Sequence, residues 1–282
     1  MDILAKIDEC NIVRGSLTDH IERLYNLDGQ SETREFLSEF RKMPLEAIEK
    51  AKIVYSESRE FISENVDIAM SDYLGFTYNG DNIFRERFII PIPDIQGNIC
   101  GMAGYDADSS IKYLFTNTMY FDKSCSFYNI DKYNSIMSKG YVIVIEGFFD
   151  SIRLSSIGFE ENLALMGVRL SDYHVRVLNR IPLKILLGDG DEPGQNGMKF
   201  WSKSIGGKKA IIHIKPVEVT DLRTYINPDT DEEEQKEVAT TTKDIDAICK
   251  FQPERVGEFK RLIKKIIKES ESPFYTTKEY WF

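Results

Sequence analysis

Apolar positions along this chain change their spacing twice, and each change predicts a different kind of structure. Up to about residue 75 they recur at helical intervals, as in TREFLSEF and, after a proline, in LEAIEKAKIVYSESREFI, so residues 1–75 are predicted to be helical. Residues 76–140 contain RFIIPIP, the turn DIQGN and short apolar runs at 99–104 and 113–115, which predict strands separated by turns. We interpret this second region as a small mixed α/β subdomain.

After residue 140, strand-like and helix-like segments alternate. The run YVIVI at 141–145 is β-branched and does not alternate with polar residues, as expected of a strand buried on both faces. The segments that follow are predicted as a helix at 149–157, a strand at 162–165, a helix at 171–179, a strand at 183–187, a helix at 194–205 and a strand at 210–214. This order predicts a parallel, doubly wound sheet over residues 141–228.

The remaining region, residues 229–282, is predicted to be helical. It opens with the acidic segment DTDEEEQKE at 229–237, which we interpret as an exposed linker or the start of a helix. The fold class is therefore α/β, with a parallel sheet that is preceded by a small mixed α/β subdomain and flanked by N- and C-terminal helices.

Charge and composition narrow the functional classes. The formal net charge of -10 argues against a protein that coats nucleic acid through overall basicity. A local basic surface stays open, because GEFKRLIKKIIKES has a basic face opposite an apolar one, and that face either is solvated or contacts phosphates. No apolar run approaches the length of a bilayer span, the start resembles no export signal, and the four cysteines form no CxxC pair, so we expect a cytoplasmic protein without a membrane partner.

Two of the predicted strands end in acidic turns. The strand YVIVI runs into Glu146 and Asp150, and the strand LKILL runs, through a glycine, into Asp189, Asp191 and Glu192. Because the carboxyl ends of parallel strands meet at one edge of a sheet, Glu146, Asp189 and Asp191 are expected to converge. Converging carboxylates need a counter-charge, and Mg²⁺ or Mn²⁺ is the divalent cation that such oxygen ligands favour.

These acidic turns have two other interpretations. The glycines of GDGDEPG differ by one residue from the spacing of the dinucleotide-binding fingerprint, and the acids would face the phosphates directly, which argues against that fingerprint. Acids that only cap a helix and shape a turn remain the alternative.

The acidic turns resemble a known family. A buried strand that ends in Glu-Gly-x-x-Asp, followed further along by a strand that ends in an Asp-x-Asp turn, resembles the Toprim domain of topoisomerases, primases and some nucleases. The stretch ALMGVRLSDYHVRVLNRIPLKILLGDGDEPGQNG is similar to bacterial DnaG-type primases, and so is RERFIIPIPDIQGNICGMAGYDADSSIKYLF upstream of it. Residues 85–226 are thus identified as resembling a DnaG-type primase catalytic core. The chain's size favours a phage- or plasmid-encoded minimal form.

This resemblance implies a set of site residues. It makes Glu146, Asp189 and Asp191 catalytic residues and metal ligands, with Asp150 as a further candidate ligand. The family's third acidic motif, an Asp-Pro-Asp ahead of an apolar pair, is matched to DLRTYI, which adds Asp221 as a candidate and has an arginine in place of the second acid. The positions that contact nucleotide phosphates or template in the family correspond to Arg85, Arg87 and Lys112. A second departure is Tyr105, where the family usually has an arginine.

The implied activity is template-directed synthesis of short RNA primers on single-stranded DNA from NTPs, with Mg²⁺ or Mn²⁺ at the acids. Glu146 could instead act as a general base. The alternatives are a Toprim nuclease and a catalytically degenerate primase-like subunit of the replisome. The sequence has no Cys/His zinc module and no long helicase-docking tail, so template recognition or helicase coupling would have to come from elsewhere. The partner expected from the resemblance is a replicative helicase or a zinc-module protein. A phage-encoded form would act in the host cytoplasm.

Overall fold

The computed structural model describes residues 3–116, 120–226 and 233–282. Its helices are α1 (Ile3–Tyr25), α2 (Gln30–Arg41), α3 (Leu45–Lys50), α4 (Phe61–Asn65), α5 (Ile68–Leu74), α6 (Tyr133–Lys139), α7 (Phe148–Ser156), α8 (Asp172–Leu178), α9 (Glu192–Ser204), α10 (Ile245–Phe251) and α11 (Val256–Ser270). Its strands are β1 (Val54–Ser56), β2 (Thr77–Tyr78), β3 (Asp81–Asn82), β4 (Arg87–Pro93), β5 (Ile99–Tyr105), β6 (Tyr113–Phe115), β7 (Tyr141–Ile145), β8 (Asn162–Ala164), β9 (Leu183–Leu187), β10 (Lys208–His213), β11 (Val217–Ile226), β12 (Glu233–Thr242) and β13 (Lys278–Trp281).

A five-stranded parallel sheet has the most strands of any sheet in the described structure. Its strand order is β13-β10-β9-β7-β8, and every neighbouring pair runs parallel. Successive residues of one strand pack into different cores: Ile143 and Ile185 belong to one apolar cluster, and Val144 and Leu186 to another on the opposite face. Burial on both faces explains why these strands read as continuous apolar runs. The predicted parallel, doubly wound arrangement is confirmed.

A smaller antiparallel sheet precedes the parallel one. Its order is β1-β4-β5-β6, and three of these strands match the runs predicted at 87–93, 99–104 and 113–115. The fourth, β1, lies within the region predicted to be helical and pairs with β4 through Val54 and Ile89. The mixed subdomain is therefore a four-stranded sheet against which the N-terminal helices pack.

Two further strands lie in the C-terminal region, which the sequence predicted to be helical. Over the described residues of 229–237, the chain is not helical but belongs to β12, which pairs antiparallel with β11 to form a long hairpin. The run VATTT at the end of β12 is rich in β-branched residues and favours a strand over a helix. The other addition, β13, extends the parallel sheet beside β10. The predicted boundary at residue 228 and the turn of the hairpin, residues 227–232, lie outside the described residues.

The predicted amphipathic helix is α11, and its apolar side closes the core. Phe259, Ile263 and Ile266 are fully buried in the same cluster as the central strands, while Leu262 and Ile267 pack against that cluster. Four of the five basic residues of the opposite face are exposed, namely Arg261, Lys264, Lys265 and Lys268, and Lys260 is half-buried. Among the described residues, no helix is both long and apolar enough to cross a membrane.

Replacing Ile263 tests how much this helix contributes to folding. The side chain is 0% exposed, so Ile263→Ala removes buried methyl groups and leaves a cavity. We expect the free energy of unfolding to fall by about 2–5 kcal/mol, measured by urea denaturation. Lys264→Ala, on the exposed face of the same helix, should change it by less than about 0.5 kcal/mol. Equal effects of the two substitutions would contradict the docking of α11.

Candidate active site

The two acidic turns lie side by side at one edge of the parallel sheet. Glu146 follows β7, and Asp189 and Asp191 follow β9, which is the direct parallel neighbour of β7. The structure therefore brings Glu146 close enough for the charges of both aspartates to act on it. The pairing of β7 with β9 therefore produces the convergence of the two acidic turns that the sequence predicts.

Glu146 is held in an environment that disfavours its negative charge. Burial, and after it the charge of Asp189, raises the pKa of Glu146 to about 7, although the Asp189 backbone and Lys243 act in the opposite direction. Its Oε1 atom is buried and has no hydrogen-bond partner among the described residues. A buried carboxylate oxygen without a partner is costly, so this atom is available to a ligand.

The two aspartates of the second turn have pKa values that are shifted in opposite directions. Burial and the charge of Asp244 raise the pKa of Asp189 to about 6. The pKa of Asp191 is lowered, because a hydrogen bond from Lys243 and another from the Gly194 amide outweigh burial. The Gly194 N–H donates to Asp191 Oδ1 over 3.0 Å, so Asp191 also caps the start of α9.

Lys243 stands directly between the two aspartates. Its Nζ forms a short hydrogen-bonded ion pair with Asp191 Oδ2 and lies 3.4 Å from Asp189 Oδ2. Its carbonyl oxygen accepts a hydrogen bond of 2.6 Å from the amide of Gly190, at the centre of the acidic turn. A side chain on residue 190 would come within 2.7 Å of the Ile214 carbonyl oxygen, which explains why glycine is needed there.

Asp150 and Asp244 extend the acidic cluster away from the sheet. Asp150 lies in the first turn of α7 and Asp244 caps α10, whose Ala247 amide donates to it over 2.6 Å. Burial raises the pKa of Asp150 well above its usual range, and the charges of Asp244, Asp189 and Asp246 add to this effect. Burial also raises the pKa of Asp244. Four acids from three different segments, namely Asp150, Asp189, Asp244 and Asp246, thus share one electrostatic environment.

A buried ion-pair network fixes α10 in this position. Asp246 accepts from Arg41 Nη2 over 2.5 Å and from Arg153 Nε over 2.9 Å. Arg153 also donates to the Arg41 and Lys42 carbonyl oxygens, and the Asp246 amide donates to Asp150 Oδ1 over 3.2 Å. Both oxygens of Asp246 are therefore engaged by arginines, and the residue ties α2, α7 and α10 together.

The three predicted phosphate-contacting residues occupy different environments. Arg85 is exposed in the turn before β4. Arg87 is only 8% exposed, and its guanidinium donates to the Ile111 carbonyl oxygen and to Ser109 Oγ, so it braces the loop before β6. Lys112 faces the acidic cluster: partial burial and nearby cations lower its pKa, while Asp244 and Asp150 act to raise it.

The structure also brings Lys243, Asp244 and Asp246 to the acidic cluster, and none of these three was predicted from the sequence. Asp221 lies on β11, where Lys250 Nζ is 3.9 Å from its Oδ2. The carboxylates that perturb Asp150 are Asp244, Asp189 and Asp246. The signal for the missed residues was present, since KDIDAI repeats the Asp-x-Asp pattern ahead of an apolar helix. A metal-ligating role of Asp221 stays a prediction.

Comparison with known proteins agrees with this arrangement. Residues 20–134 match the DNA primase catalytic core, N-terminal domain, and residues 140–217 match the Toprim domain. The chain has a DnaG-type primase catalytic core. This confirms the resemblance predicted from the motifs, and the Toprim match ends where the β11–β12 hairpin begins.

Curated relatives and solved structures support the same family. The DNA primase of Lactococcus lactis is 29% identical over 230 residues, which cover 74% of this chain and 36% of that protein, and the DNA primase of Rickettsia conorii is 34% identical over 143 residues, covering 48% and 24%. Among solved structures, the Aquifex aeolicus primase (zinc-binding and RNA polymerase domains) matches with a TM-score of 0.67 at 21% identity, covering 94% of this chain and 63% of that one. A DnaG primase catalytic domain bound to ssDNA matches with a TM-score of 0.67 at 19% identity, covering 92% and 80%. These two likenesses show that the fold is that of primase cores.

The donor set of this primase core suits a divalent cation. Among the described residues, no three His, Cys, Asp or Glu side chains are grouped closely enough to hold a metal ion as they stand. The side-chain oxygens at the acidic edge belong to carboxylates, the ligands of hard cations, and the unpaired Glu146 Oε1 offers a buried donor. Glu146, Asp189 and Asp191 are the residues that would hold the ion.

Replacing Gly194 tests the acidic turn without removing any acid. A Cβ atom at residue 194 would lie 2.5 Å from the Asp189 carbonyl oxygen, so Gly194→Ala must displace the turn. We expect Mn²⁺ binding, measured by calorimetry, to weaken at least about tenfold. Gly197→Ala, in the same helix, is the matched control, because its Cβ would meet nothing closer than 3.8 Å. Wild-type affinity in Gly194→Ala would show that the turn geometry is unimportant.

The raised pKa of Glu146 predicts a pH-dependent stability of the metal-free protein. Between its usual value of 4.5 and about 7, the folded state holds a proton that the unfolded state has lost, so the contribution of Glu146 to stability falls as pH rises through this window. Glu146→Gln removes the charge. In EDTA, this variant should therefore gain stability relative to wild type between pH 5 and pH 8, as measured by urea denaturation at each pH. The exposed Glu254→Gln should show no such gain, and parallel profiles for wild type and Glu146→Gln would refute the prediction.

Proposed function

We propose that this chain synthesises short RNA primers on single-stranded DNA by template-directed, metal-dependent nucleotidyl transfer. The observation that carries the proposal is the cluster of Glu146, Asp189 and Asp191 at the carboxyl edge of a sheet with the DnaG-type fold. Open parallel sheets bind their ligands at this edge. A divalent cation bound there would neutralise the triphosphate and stabilise the charge that develops during phosphoryl transfer.

The side chains around the cluster have separate tasks in this proposal. Glu146, Asp189 and Asp191 hold the cation, and Asp150 and Asp244 are further carboxyl groups beside them. Lys112 faces the same cluster and is placed to contact a phosphate. Arg85 is exposed and free to contact the template backbone, whereas Arg87 supports the loop that carries Lys112.

Two alternatives are disfavoured by specific features. A Toprim nuclease would not need the antiparallel subdomain, yet the match to the primase core N-terminal domain covers residues 20–134. A catalytically degenerate subunit would have no reason to keep acids with perturbed pKa values at one edge. Tyr105 is the feature that speaks for degeneracy, but its hydroxyl accepts from Arg41 Nη1 over 3.2 Å, so an arginine lies beside this position.

The proposed substrates and partners are inferred from relatives that are much longer than this chain. The chain spans about a third of the length of the Lactococcus lactis primase and about a quarter of that of the Rickettsia conorii primase. One matching structure is described as bound to ssDNA, which supports single-stranded DNA as the template. We further propose Mg²⁺ or Mn²⁺ as the cation, NTPs as substrates, a replicative helicase or zinc-module protein as partner, and the cytoplasm as the location.

A primer-synthesis assay tests the proposal. With single-stranded DNA, labelled NTPs and Mg²⁺ or Mn²⁺, we expect labelled oligoribonucleotides, and Asp189→Asn should lower their rate of formation at least about 100-fold. Asp108→Asn, in an exposed loop, is the control and should retain the wild-type rate. Asp221→Asn tests the remaining candidate ligand in the same assay. Shortened DNA would indicate a nuclease, DNA binding without either product a scaffold, and full activity in Asp189→Asn would refute the site.

A further inference from the structure

Lys243 occupies the place in the acidic turn where a bound cation would be expected. Its Nζ pairs with Asp191 Oδ2 and lies 3.4 Å from Asp189 Oδ2, and the side chain is only 40% exposed. These two carboxylates are also the ones that would ligate a divalent ion. An ammonium group and a metal ion cannot occupy the same point between two oxygens, because a metal such as Mg²⁺ binds oxygen at about 2.0–2.1 Å and fills its coordination shell.

The backbone holds Lys243 at this position. The Gly190 amide donates to the Lys243 carbonyl oxygen over 2.6 Å, so the peptide that carries the lysine is fixed to the same turn that its side chain neutralises. On one side Lys243 follows β12, and on the other it precedes Asp244, the N-cap of α10. The lysine is therefore not a mobile surface residue that meets the acids by chance.

The charge balance of the cluster explains why the lysine is needed. Arg41 and Arg153 are both engaged by Asp246, which leaves Asp189 and Asp191 with Lys243 as the cation that directly contacts them among the described residues. Partial burial would lower the pKa of Lys243, but the hydrogen bond and charge of Asp191, together with the charge of Asp189, raise it to about 12. Lys243 is therefore positively charged, and without it the two carboxylates would repel each other and Glu146.

We propose that Lys243 is an internal counter-ion of the acidic turn, which a divalent cation must displace in order to bind. Lys243 then stabilises the metal-free protein and weakens cation binding, so that the metal affinity of the site is set by a competition between the ion and a residue of the chain itself. This inference rests on the cation site of the proposed function. It makes Lys243 a residue that tunes metal affinity rather than a metal ligand or a catalytic group.

The competition predicts opposite effects of one substitution on two measurements. Lys243→Met should lower the melting temperature in EDTA, because the acids lose their counter-charge. It should also bind Mn²⁺ at least about tenfold more tightly in calorimetric titration of the full chain, and saturating Mn²⁺ should raise its melting temperature more than that of wild type. If Lys243 had a merely structural role, its substitution would lower both the melting temperature and the affinity for Mn²⁺.

Three further variants make the test decisive. Lys243→Arg keeps the charge and should keep an Mn²⁺ affinity near that of wild type. Lys203→Met removes one charge from an exposed position on α9 and should leave the affinity unchanged, which controls for net charge. Lys243→Gln is neutral but can still donate a hydrogen bond, so it replaces the methionine variant if that variant does not fold. Mn²⁺ binding by the neutral variant that is equal to or weaker than wild type would overturn the proposal.

Metal binding is measured without polymerisation, so the two proposals can fail separately. If the neutral variant binds Mn²⁺ more tightly while the wild-type chain makes no primers, the counter-ion role stands and the primase activity is refuted. If primers are made but Mn²⁺ affinity does not respond to Lys243, the primase activity stands and the counter-ion role is refuted.

Discussion

Mutual repulsion among carboxylates is the constraint around which the rest of this structure is arranged. Parallel pairing of β7 with β9 places Glu146 beside Asp189 and Asp191, and nothing in that pairing supplies a positive charge. Part of the resulting cost appears as raised pKa values, and part is offset by Lys243. The same acids that destabilise the metal-free fold are the oxygen donors that a divalent cation favours.

The surrounding elements keep those acids in place. Asp246 binds Arg41 of α2 and Arg153 of α7, so one carboxylate joins the N-terminal helices, the Toprim sheet and α10. A buried ion pair of this kind gains little net free energy, because both partners lose their hydration, but removing one partner leaves a buried charge unpaired. The ion pairs of Asp246 therefore serve to position residues: they fix the N-terminus of α10, and with it Asp244, against Asp150.

The parallel sheet and its acidic edge could be predicted from the sequence, because strands buried on both faces leave an unmistakable apolar pattern and strand ends locate the turns. What could not be predicted depends on contacts between distant segments. Arg87 stands in a phosphate-contacting position by motif, yet its donors are engaged by the chain's own loop. Likewise, β13 is a short polar strand whose pairing with β10 is fixed by Phe282 packing into the core rather than by its own pattern.

The position of Asp244 shows why spacing along a chain is a weaker guide than position in a fold. The β11–β12 hairpin, which carries Asp221, is inserted between β10 and Asp244, and its two strands carry the chain out and back. Because Val217 pairs with Thr242 at the base of the hairpin, Lys243 and Asp244 follow β10 in space almost as directly as Val217 does. An antiparallel hairpin returns the chain to where it left, so it can lengthen the sequence between two site residues without moving either of them.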